Sequence, residues 1–170
     1  MKTLLAFILF ALSSLTYVNA TDNKTIRIST KDTDLILQVG ENGRLYQTYL
    51  GEKLLHEQDL QHFQWNIHAG SDGSVSKRGW EVYSGSGNED FFEPAISITH
   101  HDGNPSTILY YVSSSDKAVE GGTETTILLR DDQYPVEVTL HYIAYPKENI
   151  IKTWSEIRHQ EKKPVTLSSY

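Results

Sequence analysis

From Val136 to Tyr142 the chain reads Val-Glu-Val-Thr-Leu-His-Tyr. In an extended strand successive side chains point to opposite faces, so Val136, Val138, Leu140 and Tyr142 fall on one side and Glu137, Thr139 and His141 on the other. The same reading extends in both directions. Residues 125–129 lead through the turn Asp131-Asp132-Gln133 into this strand, and Pro146-Lys147-Glu148-Asn149 turns it into another over residues 150–158. Earlier, residues 35–39 and 44–50 flank Gly40-Glu41-Asn42-Gly43, whose Asn-Gly pair suits the positive φ of a hairpin turn. A second hairpin is expected from residues 96–100 and 107–112 about the turn Asp102-Gly103-Asn104-Pro105. Beyond the first 20 residues, no window of about 11 residues sustains the i, i+3, i+4, i+7 spacing of an amphipathic helix. The expected class is therefore all-β, an antiparallel β-sandwich.

The first 20 residues follow a different logic. Met1-Lys2 is followed by an apolar run over residues 4–12 and then by small residues, with Val18 and Ala20 at the positions a signal peptidase reads. That run is too short for the ~20 residues of a membrane span. A cleaved signal helix over residues 1–20 is expected, with the cut between Ala20 and Thr21, a β-domain over residues 21–170, and export to the periplasm or medium with no membrane attachment afterwards. No cysteine is present, so hydrophobic burial has to hold the exported fold without disulfides.

Charge narrows the partners. Removing Lys2 with the leader takes the formal net charge from -7 to -8, and no run of Lys and Arg exists that would release counterions from a phosphate backbone. Nucleic acid is not an expected partner. Among short motifs there is no GxSxG, P-loop, HExxH or GxGxxG followed by a helix. His100 and His101 are adjacent, and on a strand they would point to opposite faces, so no shared metal ion and no cofactor is expected. Asp131-Asp132 is accounted for by a turn.

Between Asn66 and Gly87 the rhythm gives way to Gly and Ser with Trp80 and Tyr83 among them, and a long loop within one domain is often functional. Glu81, Glu89, Asp90 and Glu93 follow, enough acids for the carboxylate pair of glycoside hydrolysis, although a solvated acidic loop has the same composition. Indoles can stack on sugar rings; the alternation of Phe63, Trp65 and Ile67 favours the core for Trp65, whereas Trp80 between Gly79 and Glu81 belongs to the loop.

Three stretches together carry a resemblance: GRLYQTYLGEKL, GWEVYSGSGNEDFFEPAISITHHDGN and TILLRDDQYPVEVTLHYIAYPKENIIKTWSEIRH. In this order they resemble the N-terminal β-domain of glycoside hydrolase family 36, the α-galactosidases. The likeness runs through Glu81-Val82-Tyr83, residues 87–95, the turn at Asp102-Gly103 and a tail over residues 126–158. One departure is plain: where the family loop has Asp-Phe-Arg-x-Pro, this chain has Asp90-Phe91-Phe92-Glu93-Pro94. The resemblance implies a partial β-supersandwich and, in the longer enzymes, a retaining release of terminal α-galactose by two aspartates of a downstream (β/α)8 barrel. Neither aspartate has a counterpart in these 170 residues, so no catalytic residue is assigned and the chain alone is expected to be inactive. The resemblance further implies that the loop reaches the rim of a barrel active site, in oligomeric members that of a neighbouring subunit, with Trp80, Glu81, Tyr83, Asp90 and Phe91 as the rim residues. The expected partners are then α-galactosides bound by the full-length enzyme and other copies of that enzyme. A free-standing carbohydrate-binding module is the alternative. The leader predicts that protein recovered from an exporting host starts at Thr21; intact mass spectrometry checks this, and a retained leader contradicts it.

Overall fold

The computed structural model describes residues 24–63, 80–87 and 93–170. The leader, the cut at Ala20 and Thr21, and Trp65, Glu89, Asp90 and Phe91 lie outside the described residues, as does the side chain of Trp80. The described chain is built of strands, with one short 3-10 helix over Glu57–Phe63.

β1 (Thr25–Ser29), β2 (Thr33–Val39), β3 (Leu45–Glu52) and β4 (Trp80–Glu81) form one antiparallel sheet in that order. The β2–β3 turn is the Asn-Gly turn read from the sequence, with Gly43 at φ 76°. After β5 (Ser97–Thr99), a second sheet is a plain meander of β6 (Leu109–Val119), β7 (Gly122–Asp131), β8 (Val136–Tyr145) and β9 (Ile150–His159). Its last two hairpins are the ones expected from the alternation and turns of residues 125–158. Asp131 explains the β7–β8 turn: Oδ1 accepts from the amides of Gln133 and Tyr134, both at 2.8 Å, and Oδ2 accepts from Ile108 N at 2.7 Å. A local turn residue thereby also fixes where β6 begins.

One expected hairpin is corrected. The turn at Asp102-Gly103 forms, with His100 N donating to Asn104 O at 2.8 Å and Gly103 at φ 89°. Its two arms then part company. β5 pairs with β10 (Thr166–Ser169), and β6 pairs with β7. Alternating apolar residues make a strand without naming its neighbour, and here the neighbour is about 70 positions away in sequence. The tip of the Gly/Ser-rich stretch also differs from a loop, because Trp80 and Glu81 pair with Gln47 and Tyr46 on the edge of β3.

The two large sheets and β5 share one apolar layer. β8 buries Val136, Val138, Leu140, Tyr142 and Ala144 in strict alternation, and Ile127 and Leu129 of β7 join them. Facing them are Ile26 and Ile28 of β1, Leu35 and Leu37 of β2, and Leu45, with Ile98 from the small sheet. Two sheets meeting over one such layer are an antiparallel sandwich. A buried carboxylate sits at its margin. Asp34 has a fully buried side chain and is held by Arg27 Nη2 and Ser29 Oγ, each at 2.6 Å, and by Leu54 N at 2.8 Å. Burial pushes its pKa up, but those hydrogen bonds outweigh burial and leave it below the usual value. Across the sandwich, Asn149 at φ 56° between β8 and β9 accepts from Thr30 Oγ1 and, at 3.3 Å, from Asp32 N. The shared layer predicts that Ile127→Ala costs about 2–5 kcal/mol of unfolding free energy, whereas Leu55→Ala, at a residue 84% exposed, stays within about 0.5 kcal/mol. Urea unfolding midpoints at unchanged slope measure both.

Candidate functional site

The segment singled out by its acids, aromatics and paired histidines folds around a tightly built loop base. Residues 84–86 run between two other pieces of chain. On one side Gly85 bridges to Ile96 in parallel, with Ser86 N donating to Ile96 O and Ile96 N donating to Ser84 O, each at 3.1 Å. On the other, Thr107 N donates to Ser86 O at 2.7 Å, and Ser86 Oγ donates to Pro105 O. The clamp requires glycine at its centre, since a Cβ on Gly85 would stand 2.0 Å from the Thr107 carbonyl oxygen. Gly87, at φ 92°, is the last described residue on this side of residues 88–92.

Behind the clamp lies a closed polar cluster. Glu161, between β9 and β10, points its carboxylate at both histidines: His100 Nδ1 lies 2.7 Å from Oε1 and His101 Nδ1 lies 2.6 Å from Oε2. His101 N adds a third donor at 3.1 Å. The expectation that neighbouring histidines point apart is corrected by where they sit. β5 ends at Thr99, so His100 and His101 belong to a turn, where period-two geometry does not apply. His100 Nε2 faces Ser106 O at 3.0 Å and Thr107 Oγ1 at 3.1 Å, and its ring stacks on Tyr134 with centroids 3.5 Å apart. Tyr134 OH donates to Asp102 Oδ2 at 3.0 Å and accepts from Asn104 Nδ2 at 2.9 Å.

The electrostatics follow from this packing. Burial pushes the Glu161 carboxyl up, but the hydrogen bonds from His100, His101 and the His101 amide outweigh it and hold the pKa down at about 2. The side chains of Glu161 and His100 are 1% and 0% exposed, and only His101, at 39%, reaches water. The buried His100–Glu161 contact can brace backbone, and His101 is the member that faces water. Among the described residues no group of three or more His, Asp or Glu is placed to hold a metal ion.

Of the rim residues expected from sequence, Glu81 has a buried side chain in a two-pronged pair with Arg44, whose Nε donates to Oε1 at 3.1 Å. Glu93 is exposed. The backbone of Trp80 lies on β4, four to six residues before the clamp. Tyr83 faces a groove of about 610 Å³ along the open side of the sandwich, where Leu35, Leu50, Tyr142, Ile151 and Trp154 also contribute. Its OH accepts from Ser155 Oγ at 3.4 Å. The structure thus brings Glu81 and Tyr83 onto the approach to the clamp from different sides, one turned into the fold and one toward the groove. Sequence reading missed Glu161, Tyr134 and Arg44, each more than 30 positions from its partner or in another turn, with no local pattern to reveal it.

Comparison with known proteins agrees with this architecture. Residues 43–170 match the model of the Glycosyl hydrolase family 36 N-terminal domain. Among solved structures, the galactosidase domain of the alpha-galactosidase-sucrose kinase AgaSK superposes with a TM-score of 0.71 at 22% identity, covering 86% of this chain and 24% of that one. The α-galactosidase from Lactobacillus brevis gives 0.70 at 18% identity, covering 86% and 23%. The family 36 α-galactosidase AgaA from Geobacillus stearothermophilus gives 0.70 at 21%, again covering 86% and 23%. The chain thus spans about a quarter of the length of these structures. No curated protein matches it by sequence.

The carboxylate at Glu161 predicts an acid limb in stability. Its folded pKa of about 2 lies below the ordinary 4.5, so its contribution is present above about pH 4.5 and disappears as pH falls toward 2. Glu161→Gln is expected to lower the urea midpoint at pH 6 and to flatten its decline between pH 4.5 and 2.

Proposed function

The chain belongs to glycoside hydrolase family 36 through its N-terminal domain, and from that premise we propose that it is the non-catalytic β-domain of an exported α-galactosidase acting on terminal α-D-galactosides. In this reading the domain supports a catalytic barrel and lends it the loop that leaves the clamp at Gly87. Trp80, Asp90 and Phe91 are the contacts proposed for the barrel mouth, in an oligomer the mouth of a neighbouring subunit.

The observation that carries the proposal is the clamp itself. Gly85 pressed against Thr107 and the braid of Ser84, Ser86, Ile96 and Pro105 fix the described backbone on either side of residues 88–92, whose sequence is acidic and aromatic, and a rigid base is what a binding segment needs to present side chains at a fixed distance. The buried His100–Glu161 contact supports the base from behind. Glu81, held by Arg44, orients the strand leading into the loop in this reading.

The groove beside Tyr83 favours a second reading, a free-standing sugar-binding module. Against it, one face of Trp154 is stacked on His141 with centroids 4.6 Å apart, and Lys152 Nζ lies 5.2 Å from its ring centre, which leaves little indole for a sugar.

The test has two arms. The chain alone should release no nitrophenol from p-nitrophenyl α-galactoside; release would overturn its non-catalytic role. In a family 36 enzyme carrying this domain ahead of its barrel, alanine at Trp80 or Asp90 should raise KM roughly tenfold, the scale of about 1.4 kcal/mol of lost binding. Unchanged kinetics would remove the rim assignment. A galactose-dependent shift of tryptophan fluorescence in the chain alone would establish the second reading instead.

A further inference from the structure

Away from the clamp, one buried nitrogen lacks a partner. His141 of β8 sits on the face of the second sheet opposite the apolar layer, between Glu124 of β7 and Glu156 of β9. Its Nδ1 lies 2.9 Å from Glu124 Oε1, and its ring stacks on Trp154. Nε2 is buried and has no hydrogen-bond partner among the described residues. A buried ring nitrogen left in this way costs free energy, and such an atom usually marks the place of a water or an ion. The facing group is Glu156 Oε1 at 3.7 Å, beyond hydrogen-bond length.

We propose that His141 Nε2 and the Glu156 carboxylate bind a divalent first-row transition ion such as Zn2+, with Glu124 holding the imidazole from behind. An ionised carboxylate only accepts, so the Glu124 contact puts the proton of the neutral ring on Nδ1 and leaves Nε2 with a lone pair. A carboxylate behind a histidine is the arrangement that fixes the tautomer and the ring orientation of metal-binding imidazoles. The stack on Trp154 holds the same ring from its face. Glu156, with its side chain 63% exposed, is free to swing by the small amount that coordination asks of it.

The 3.7 Å separation favours an ion over a water. A water at ~2.8–2.9 Å from both atoms would be pinched to an angle well under tetrahedral, whereas an ion at ~2.0–2.2 Å from each sits at an open one. The imidazole selects the kind of ion, because Ca2+ and Mg2+ prefer oxygen ligands and Zn2+ accepts nitrogen. The described residues hold no group of three or more ligating side chains, and this site uses two, with water in the remaining positions. The ion is therefore exchangeable. The contrast with His100 is direct, since both ring nitrogens of that residue already face protein partners. Both ligands lie within the β8–β9 pairing, so the ion would clip these strands together in a chain without disulfides. The inference is independent of the catalytic assignment.

Calorimetric titration of the untagged, chelator-treated chain with Zn2+ tests it. One ion per chain is expected at this site, with no heat from Mg2+ or Ca2+ at the same concentrations. His141→Gln should abolish that binding, and Glu156→Gln should weaken it at least about tenfold, the scale of about 1.4 kcal/mol. Glu124→Gln should weaken it about 10–100-fold, as the loss of a group behind a ligand does. His159→Gln, at an exposed histidine outside the site, should leave it unchanged. If a variant fails to fold by circular dichroism, imidazole nitrogen NMR of the wild-type chain replaces it: Zn2+ should shift Nε2 of His141 while Nδ1 keeps its proton. Absence of Zn2+ binding, binding that survives His141→Gln, equal binding of Ca2+, or an Nε2 resonance that Zn2+ does not move overturns the inference.

Discussion

Everything in this domain rests on one apolar layer that two sheets must share, because no cysteine is available to tie them together. Strict alternation in β8 supplies five buried residues from Val136 to Ala144, and the facing strands β1 and β2 supply Ile26, Ile28, Leu35 and Leu37. Hydrophobic burial is roughly proportional to area and indifferent to direction, so it brings the sheets together without fixing their alignment. Alignment is left to polar ties. Asn149 reaches Thr30 and Asp32 at one end of the sandwich, and Asp131 reaches Ile108 within the second sheet. Asn149 does this from a turn at φ 56°, and Asp131 from the last position of β7.

The functional segment is assembled by the same economy. Glu161 satisfies two histidines and an amide; His100 passes that support to Ser106 and Thr107; Thr107 N and O meet Ser86 and Gly85. The chain of contacts runs from a carboxylate on the far side of the small sheet to the base of the loop. It makes a glycine, a buried hydrogen-bonded carboxylate and an aromatic stack serve one purpose, holding a short stretch of backbone still. That is a structural role, which agrees with a domain whose proposed contribution to catalysis is placement.

Legibility in the sequence followed distance along the chain. The β2–β3, β7–β8 and β8–β9 hairpins were readable because a turn signal and two alternating strands lie within about 20 residues, and the buried face of β8 was readable residue by residue. The partner of β5 was not, because β10 offers only Thr-Leu-Ser-Ser and lies far downstream. β1 went unread for a related reason: five residues with two buried isoleucines carry too little pattern to stand out. The histidines failed differently. Their adjacency was visible, but the argument from strand geometry assumed a strand that ends one residue too soon, and the carboxylate they share is 60 positions away. The family resemblance read from three ordered stretches is matched over residues 43–170.

The pairing of β5 with β10 has a consequence for the order in which the domain can mature. β6 to β9 join only to strands next to them in the chain, so each closes a short loop and can settle as soon as it exists. β5 has to hold its place, and the clamp above it has to wait, until residues 161–169 have been made, because both the strand that completes its sheet and the carboxylate that fixes His100 come from there. A ribosome that has released everything up to β9 has still not finished the loop's foundation. The part of the domain proposed to face a substrate therefore becomes rigid only after β6 to β9 are in place.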